Sequence, residues 1–250
     1  MLAGQPGARK TVLSTMMTRN FDSNAAFVNA DDFRRFHPNY RELYAAFASD
    51  SVSKTSQFAS EVSNLLIDKL STLHYNLIIE GTGRTVDIPK NTADLLSQKG
   101  YEIEMAVIAT RPEISLISTL LRFYEMNSSG TIPRATAINA HDNVVDVLPD
   151  NLDILLEQSK ISRISIWDRE LNMLYDSAQS SDVPSTILVD YWESEWSEFE
   201  IESTQHQIQR LYNLESQENL GQSSVIEEIE SRFIRAIEKS QEKLFWGPTL

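Results

Sequence analysis

Short runs rich in β-branched and aliphatic residues recur between longer amphipathic stretches: Ala25 to Ala30, Asn76 to Glu80 (NLIIE), Ile103 to Thr110 (IEMAVIAT) and Arg163 to Trp167. Strands that alternate with helices predict an α/β fold, a parallel sheet covered on both faces. NLIIE and IEMAVIAT are apolar enough to be central strands. Among the four runs, Gln57 to Leu73 sets Phe58, Val62, Leu65, Leu66 and Leu73 at helical spacing, and Thr92 to Lys99 followed by Gly100 reads as a helix closed by a C-terminal glycine. After Pro184 the pattern turns to helix only. Trp192, Trp196 and Phe199 stand at i, i+4 and i+7, and Ser224 with Glu227 forms a capping-box signature ahead of Ile229, Phe233, Ile237 and Leu244.

The polar stretch Ser177 to Ser185 (SAQSSDVPS) separates these regions, so the chain divides into an α/β domain over residues 1–180 and an acidic helical extension over 181–250. Of a net charge of -14, residues 181–250 carry 14 acidic and 5 basic side chains. The acidic excess argues against a partner gripped through a basic surface, such as nucleic acid. The chain has no cysteine, which excludes thiolate metal sites, disulfides and nucleophilic thiols. Its four scattered histidines form no metal-ligand cluster. The amino terminus MLAGQPGARK lacks the apolar stretch of a signal peptide and the apolar runs are too short to cross a bilayer, which points to a cytoplasmic protein with no membrane partner.

Gly4, Gln5, Pro6, Gly7, Ala8, Arg9, Lys10 and Thr11 follow the phosphate-loop form G-x-x-x-x-G-K-[ST] with one violation, Arg9 in place of glycine. In that form glycines let backbone N–H groups approach phosphates, the lysine neutralises β/γ oxygens and the hydroxyl reaches Mg²⁺. The bland alternative is a glycine-bearing N-terminal turn. Val12 to Met17 suits the helix that should follow. Only three residues precede Gly4, however, where a whole buried strand should lead in, so the expected sheet has a gap or a new edge.

FVNADDFRRFHPNY (Phe27 to Tyr40), YNLIIEGTGRTVDIP (Tyr75 to Pro89), KGYEIEMAVIAT (Lys99 to Thr110), LLRFYEM (Leu120 to Met126) and PRATAINAHDNVVDVLPDNL (Pro133 to Leu152), correctly ordered and spaced, together resemble the zeta toxin family. These are the toxin kinases of epsilon/zeta and Pez toxin–antitoxin systems. The resemblance implies a P-loop kinase fold, a cognate antitoxin protein, and phosphorylation by ATP of the sugar 3′-hydroxyl of UDP-N-acetylglucosamine, which blocks this peptidoglycan precursor.

Residue by residue, it implies that Lys10 binds phosphate, that Thr11 holds Mg²⁺ and that Asp31 receives the proton of the sugar hydroxyl. It further implies that Glu80, Thr82, Arg84 and Thr92 contact the sugar nucleotide and that Arg122 and Arg134 clamp the ATP phosphates. Taken alone, Asp31 or Asp32 could cap a helix, and the arginines could form surface ion pairs. His141 and Asp142 match a family pair and receive no role beyond a helix-start pair holding structure.

The sequence departs from the family at three places. The helix that engages the antitoxin and the strand that enters the phosphate loop do not precede Gly4, so the chain reads as truncated at its amino terminus. Arg9 crowds the loop. Asn64 stands where the family has a substrate-contacting glutamate, with Glu61 about one turn earlier on the same helical face.

Overall fold

A computed structural model describes residues 1–47, 50–133 and 136–246. In chain order the elements are β1 (Leu2–Ala3), α1 (Lys10–Arg19), β2 (Ala26–Asn29), α2 (Ala30–Phe33), α3 (Tyr40–Phe47), α4 (Ser51–Thr72), β3 (Leu77–Glu80), α5 (Asp87–Gln98), β4 (Glu104–Ile108), α6 (Pro112–Ser128), α7 (Ile138–Gln158), β5 (Arg163–Trp167), β6 (Met173–Asp176), α8 (Pro184–Glu193), α9 (Glu198–Glu218) and α10 (Ser223–Trp246). The strands form one sheet in the order β2-β3-β1-β4-β5-β6, parallel except for β6. The four runs expected as strands are β2, β3, β4 and β5, and α5 ends before Gly100, whose φ of +83° suits a glycine just past a helix end. Among the described residues no helix is long and apolar enough to cross a membrane.

The expected gap in the sheet is corrected by β1. Leu2 lies opposite Glu80 on one side and Ala106 on the other, and Ala3 lies opposite Val107, so two residues fill the central position. The strand pleat sends their side chains to opposite faces. Leu2 joins the layer formed with Leu13, Ile78 and Ile108 under α1, while Ala3 joins the main core with Val107, Ile164, Leu148 and Leu152. Burial of a leucine side chain contributes about 1.5–3 kcal/mol, so even this short strand adds materially to the core. A two-residue strand lies below the length at which alternation can be read from a sequence.

Two further expectations are changed by packing. The buried line of α4 is Ser51, Thr55, Ala59, Ser63, Ile67 and Ser71, spaced four apart, while Leu65 and Leu73 are 61% and 67% exposed. Small side chains on that line let the helix backbone approach its neighbours, with Ile67 the large apolar residue on it and Leu66 and Leu70 packed partly buried against the core. The aromatic series Trp192, Trp196 and Phe199 does not share one helix. Trp192 is in α8, Trp196 is buried in the connection, and Phe199 in α9 is 78% exposed. A capping box at Ser197, whose hydroxyl accepts from the Glu200 N–H while Glu200 accepts from the Ser197 N–H, starts a new helix there. The later signature at Ser224 falls at the start of α10.

Three apolar clusters hold the layers together. The main core lies between one sheet face and α4, α5, α7 and α8, with Leu188 of α8 fully buried in it. The second lies against α1, and the third joins α6 to α9 and α10 through Leu116, Tyr124, Trp196, Leu211, Ile229 and Phe233. The acidic helices thus pack their apolar faces onto the α/β body. Arg111, 3% exposed and just past β4, pins their connection: its guanidinium donates to Glu200 and to the carbonyls of Trp192, Ser194 and Glu195.

Candidate functional site

The strand order reverses at β1, since the chain passes from β1 to β2 and β3 on one side before crossing to β4 on the other. Loops at the carboxyl ends of parallel strands open a crevice at such a point. There the loop Gly4–Arg9 leaves β1, α2 follows β2, and Gly81–Val86 follows β3. Register aligns them, because Asn29 lies opposite Glu80 and Leu2 lies opposite Glu80 as well.

The first loop is anchored from beneath. Gln5, fully buried, donates through Nε2 to the Thr110 carbonyl at 2.5 Å and to Ser115 Oγ at 3.3 Å. Thr110 Oγ1 donates to the Ala8 carbonyl at 3.0 Å. Gly7, at φ +79°, presses so closely on the Ser115 carbonyl that a Cβ there would overlap it, which only glycine avoids. The loop then enters α1, whose N-terminus no side chain caps. First-turn N–H groups with no helical acceptor make a helix start an anion site.

Lys10 Nζ arches back over the loop to the carbonyls of Gly4 (2.7 Å) and Gln5 (3.1 Å). Burial pulls its pKa down, and the nearby carboxylates of Glu80 and Asp31 counter that while Arg122 adds to it. Arg9 is exposed and holds φ +69°, ψ 33°, the left-handed geometry in which glycine has no penalty. The loop therefore keeps the backbone form that a glycine would take, with the Arg9 side chain toward solvent and its charge bearing on Arg169.

On the other side of the crevice, Asn29 accepts from the Asp31 N–H at 3.0 Å and so caps α2, which removes that duty from Asp31 and Asp32. Asp31 sits two residues past the end of β2, exposed, with Oδ1 accepting from Arg34 Nε at 2.7 Å. Arg34 is itself fixed by the Val52 carbonyl and Thr55 Oγ1 of α4, so the carboxylate is held from behind. Glu80, half-buried at the end of β3, has its pKa raised by burial; Lys10 and Arg122 oppose that, and Asp31 and Asp32 reinforce it. The charges of Asp31 and of Arg122, which is exposed on α6, thus both bear on Lys10 and Glu80.

The Thr82 carbonyl accepts from the Gly4 N–H at 3.4 Å, and Thr82 Oγ1 accepts from the Arg84 N–H at 3.3 Å, joining the β3 loop to the first loop. Arg84 and Thr11 are exposed, and Thr92 is half-buried on α5 with Oγ1 donating to the Ile88 carbonyl. Asn64 lies exposed on α4, and Glu61 on the same helix accepts from Gln57. Arg134 falls outside the described residues. Side chains that motif reading did not single out include Thr110 and Ser115, which anchor the loop, and Arg169, whose Nη2 lies 3.5 Å from Ser118 Oγ. None of the three belongs to a spacing pattern, so the folded chain alone brings them to the crevice.

The parts fit a polyphosphate: a glycine-bearing loop, an uncapped helix start, a lysine at the loop and a threonine beside it. No group of three or more His, Cys, Asp or Glu among the described residues could hold a metal ion. Mg²⁺ needs no such cage where substrate phosphates and water supply its oxygens, and Thr11 offers a hydroxyl.

The Zeta toxin family profile matches residues 1–180. Toxin PezT of Streptococcus pneumoniae serotype 4 is 41% identical over 215 residues, covering 86% of this chain and 85% of the relative. Toxin zeta of Streptococcus pyogenes is 36% identical over 184 residues, covering 73% and 64% respectively. A structure solved for the PezAT chromosomal toxin–antitoxin system of Streptococcus pneumoniae superposes with a TM-score of 0.77 at 40% identity, covering 85% of each chain. The fold is that of the P-loop kinases, and the chain belongs to the zeta toxin family.

Proposed function

We propose that this protein is the toxin of a toxin–antitoxin pair and acts as a kinase on the sugar 3′-hydroxyl of UDP-N-acetylglucosamine, withdrawing that precursor from peptidoglycan synthesis. The observation that carries the reading is that Lys10, Asp31 and Glu80 follow or end β1, β2 and β3 at their carboxyl ends, with the charges of Asp31 and of Arg122 on α6 both bearing on Lys10 and Glu80. Phosphoryl transfer depends on cations around the transferred group and a carboxylate beside the attacking hydroxyl, and these residues supply both kinds.

Bound ATP would supply the phosphoryl group, and a bound Mg²⁺ would supply positive charge for its oxygens. The loop Gly4–Arg9 and Lys10 hold the phosphates, Thr11 offers its hydroxyl to the metal, and Arg122 and Arg134 stabilise the charge that develops in transfer. Asp31 takes the proton of the sugar hydroxyl. Glu80, Thr82, Arg84, Thr92 and Asn64 orient the sugar nucleotide. The cytoplasm, where such precursors are made, suits this role, and a cognate antitoxin would restrain it.

A second reading is a catalytically impaired relative that retains only antitoxin or sugar-nucleotide binding. It rests on Arg9, which keeps a side chain on the loop at a left-handed position. Incubation with ATP, Mg²⁺ and UDP-N-acetylglucosamine, followed by mass spectrometry, separates the two. The kinase reading expects a product heavier by one phosphoryl group, absent with Asp31→Asn. Binding of the sugar nucleotide without turnover would favour the second reading.

A further inference from the structure

A continuous chain of hydrogen bonds leads from α10 to the loop after β1. Arg232 Nη1 donates to both carboxylate oxygens of Asp142 at 2.8 Å. Asp142 Oδ1 lies 3.3 Å from His141 Nδ1, His141 Nε2 lies 2.7 Å from Ser115 Oγ, and Ser115 Oγ accepts from Gln5 Nε2 at 3.3 Å. Gln5, Ser115 and His141 are all fully buried, so no substrate reaches this series despite its serine, histidine and aspartate. Ser115 meets the loop twice, once through its hydroxyl and once where its carbonyl abuts Gly7.

We infer that Arg232 is a positioning residue for the phosphate loop, acting through Asp142, His141 and Ser115 on Gln5. The inference rests on reading Gly4–Thr11 as that loop. The physical link is the histidine tautomer. Burial outweighs the pull of Asp142 and lowers the His141 pKa, which favours the neutral ring, in which one nitrogen carries a proton and the other accepts. A carboxylate held by Arg232 against Nδ1 selects the Nδ1–H form and leaves Nε2 as an acceptor for the Ser115 hydroxyl proton. The Ser115 oxygen then keeps its lone pairs for the Gln5 N–H.

With Asp142 released, the other tautomer becomes available. Nε2–H would then donate to Ser115 Oγ, the hydroxyl proton would be committed to the Pro112 carbonyl already 2.9 Å away, and Gln5 would share the serine oxygen with His141, one lone pair each, in place of having it alone. The C-terminal helix thereby bears on the order of the loop through Asp142, His141 and Ser115.

Hydrogen exchange of the full chain, without nucleotide, tests this. Arg232→Met should speed amide exchange in Gln5–Lys10 by about 5-fold or more, the lower range of coupling between linked sites, and leave β4 and β5 unchanged. Arg232→Lys, which keeps a cation for Asp142, should fall between it and the starting protein, and Asp142→Asn should resemble Arg232→Met. A matching rise in the Kd for ATP, with the Kd for UDP-N-acetylglucosamine unchanged, would support the same link. Unchanged loop exchange in all three variants, or equal acceleration throughout the chain, would overturn the inference. Faster loop exchange in a protein that binds no ATP would uphold the link and overturn the phosphate-loop reading instead.

Discussion

Lys10 Nζ donates to the carbonyl oxygen of Gly4 at 2.7 Å, bridging the mouth of the loop that leads into its own helix. The ammonium is thus held by main-chain oxygens of the same loop that its charge would serve. Burial disfavours that charge. A buried cation kept for chemistry is a stability cost, so the two effects of removing it should separate. Lys10→Met should cut phosphoryl transfer on the order of 100-fold or more while leaving the melting temperature level or raised. A kinase assay beside a thermal melt checks both, and a fall of several degrees would instead make Lys10 a structural tie.

Arg9 offers the opposite test, because its strain has no compensating contact in the cap itself. A non-glycine residue in the left-handed region costs about 1–2 kcal/mol. Arg9→Gly should therefore raise the melting temperature by about 2–4 °C, the shift that 1 kcal/mol produces in a chain of this size. It should also tighten ATP. Arg9→Ala keeps the Cβ and the strain, so it should gain little in the melt and less in affinity. Calorimetry on the three proteins provides both numbers, and equal melts for Gly and Ala would remove the strain argument.

The contrast between β3 and β1 shows what could be seen beforehand. NLIIE announces a buried strand through three contiguous apolar residues, Leu77 to Ile79, and the sheet places it beside β1. Leu2 and Ala3 carry no pattern; they become a central strand only because β3 and β4 present hydrogen-bonding edges on both sides. The α4 face was obscured for another reason. Serine and alanine add little to a hydrophobic count, yet they form most of the close contact beside Ile67, whereas Leu65 and Leu73, two of the five residues in the apparent stripe, face solvent.

At the site, the loop motif and the NADDF block indicated Lys10 and Asp31 from local spacing and resemblance. Asn29 as the cap was hidden behind the neighbouring aspartates, since both residue types are good caps. Gln5 was legible only as a loop member. Its contacts with Thr110 and Ser115 span more than a hundred residues of sequence, and no spacing rule reaches that far.

Asp176 of β6 should govern part of the acid response. It accepts from Arg163 Nε and Nη2, both at 2.8 Å, and this fork chiefly holds its pKa below 3.8. For a carboxylate with a depressed folded value, the contribution is complete above the unfolded pKa and is lost as pH falls through the folded one. The stability it adds should therefore be present at neutral pH and decline below about pH 4. Asp176→Asn should lower the urea midpoint at pH 7 and flatten its fall between about pH 4 and 2 relative to the starting protein. Parallel acid limbs in the two proteins would show that other carboxylates control that range.

Arg111 sets the last prediction, because all five of its N–H groups have acceptors. Nε donates to Glu200, Nη1 to the carbonyls of Trp192 and Ser194, and Nη2 to Ser194 Oγ and the Glu195 carbonyl, all within 2.9 to 3.1 Å, with the guanidinium 4.5 Å from the Trp196 ring. Removing one partner of a buried ion pair costs about 3–5 kcal/mol; Glu200 is partly exposed and can rehydrate, which places Arg111→Met near the lower figure, about 3 kcal/mol. Charge alone cannot replace this fork. A lysine has three donors on one flexible point and cannot reach acceptors spread over the turn between α8 and α9, so Arg111→Lys should lose nearly as much. Thr110, which precedes it in the chain, holds Ala8 and accepts from Gln5, so both variants should also weaken nucleotide binding. Urea melts of the three proteins decide between charge and geometry: a lysine variant as stable as the starting protein would show that the positive charge by itself secures the C-terminal helices.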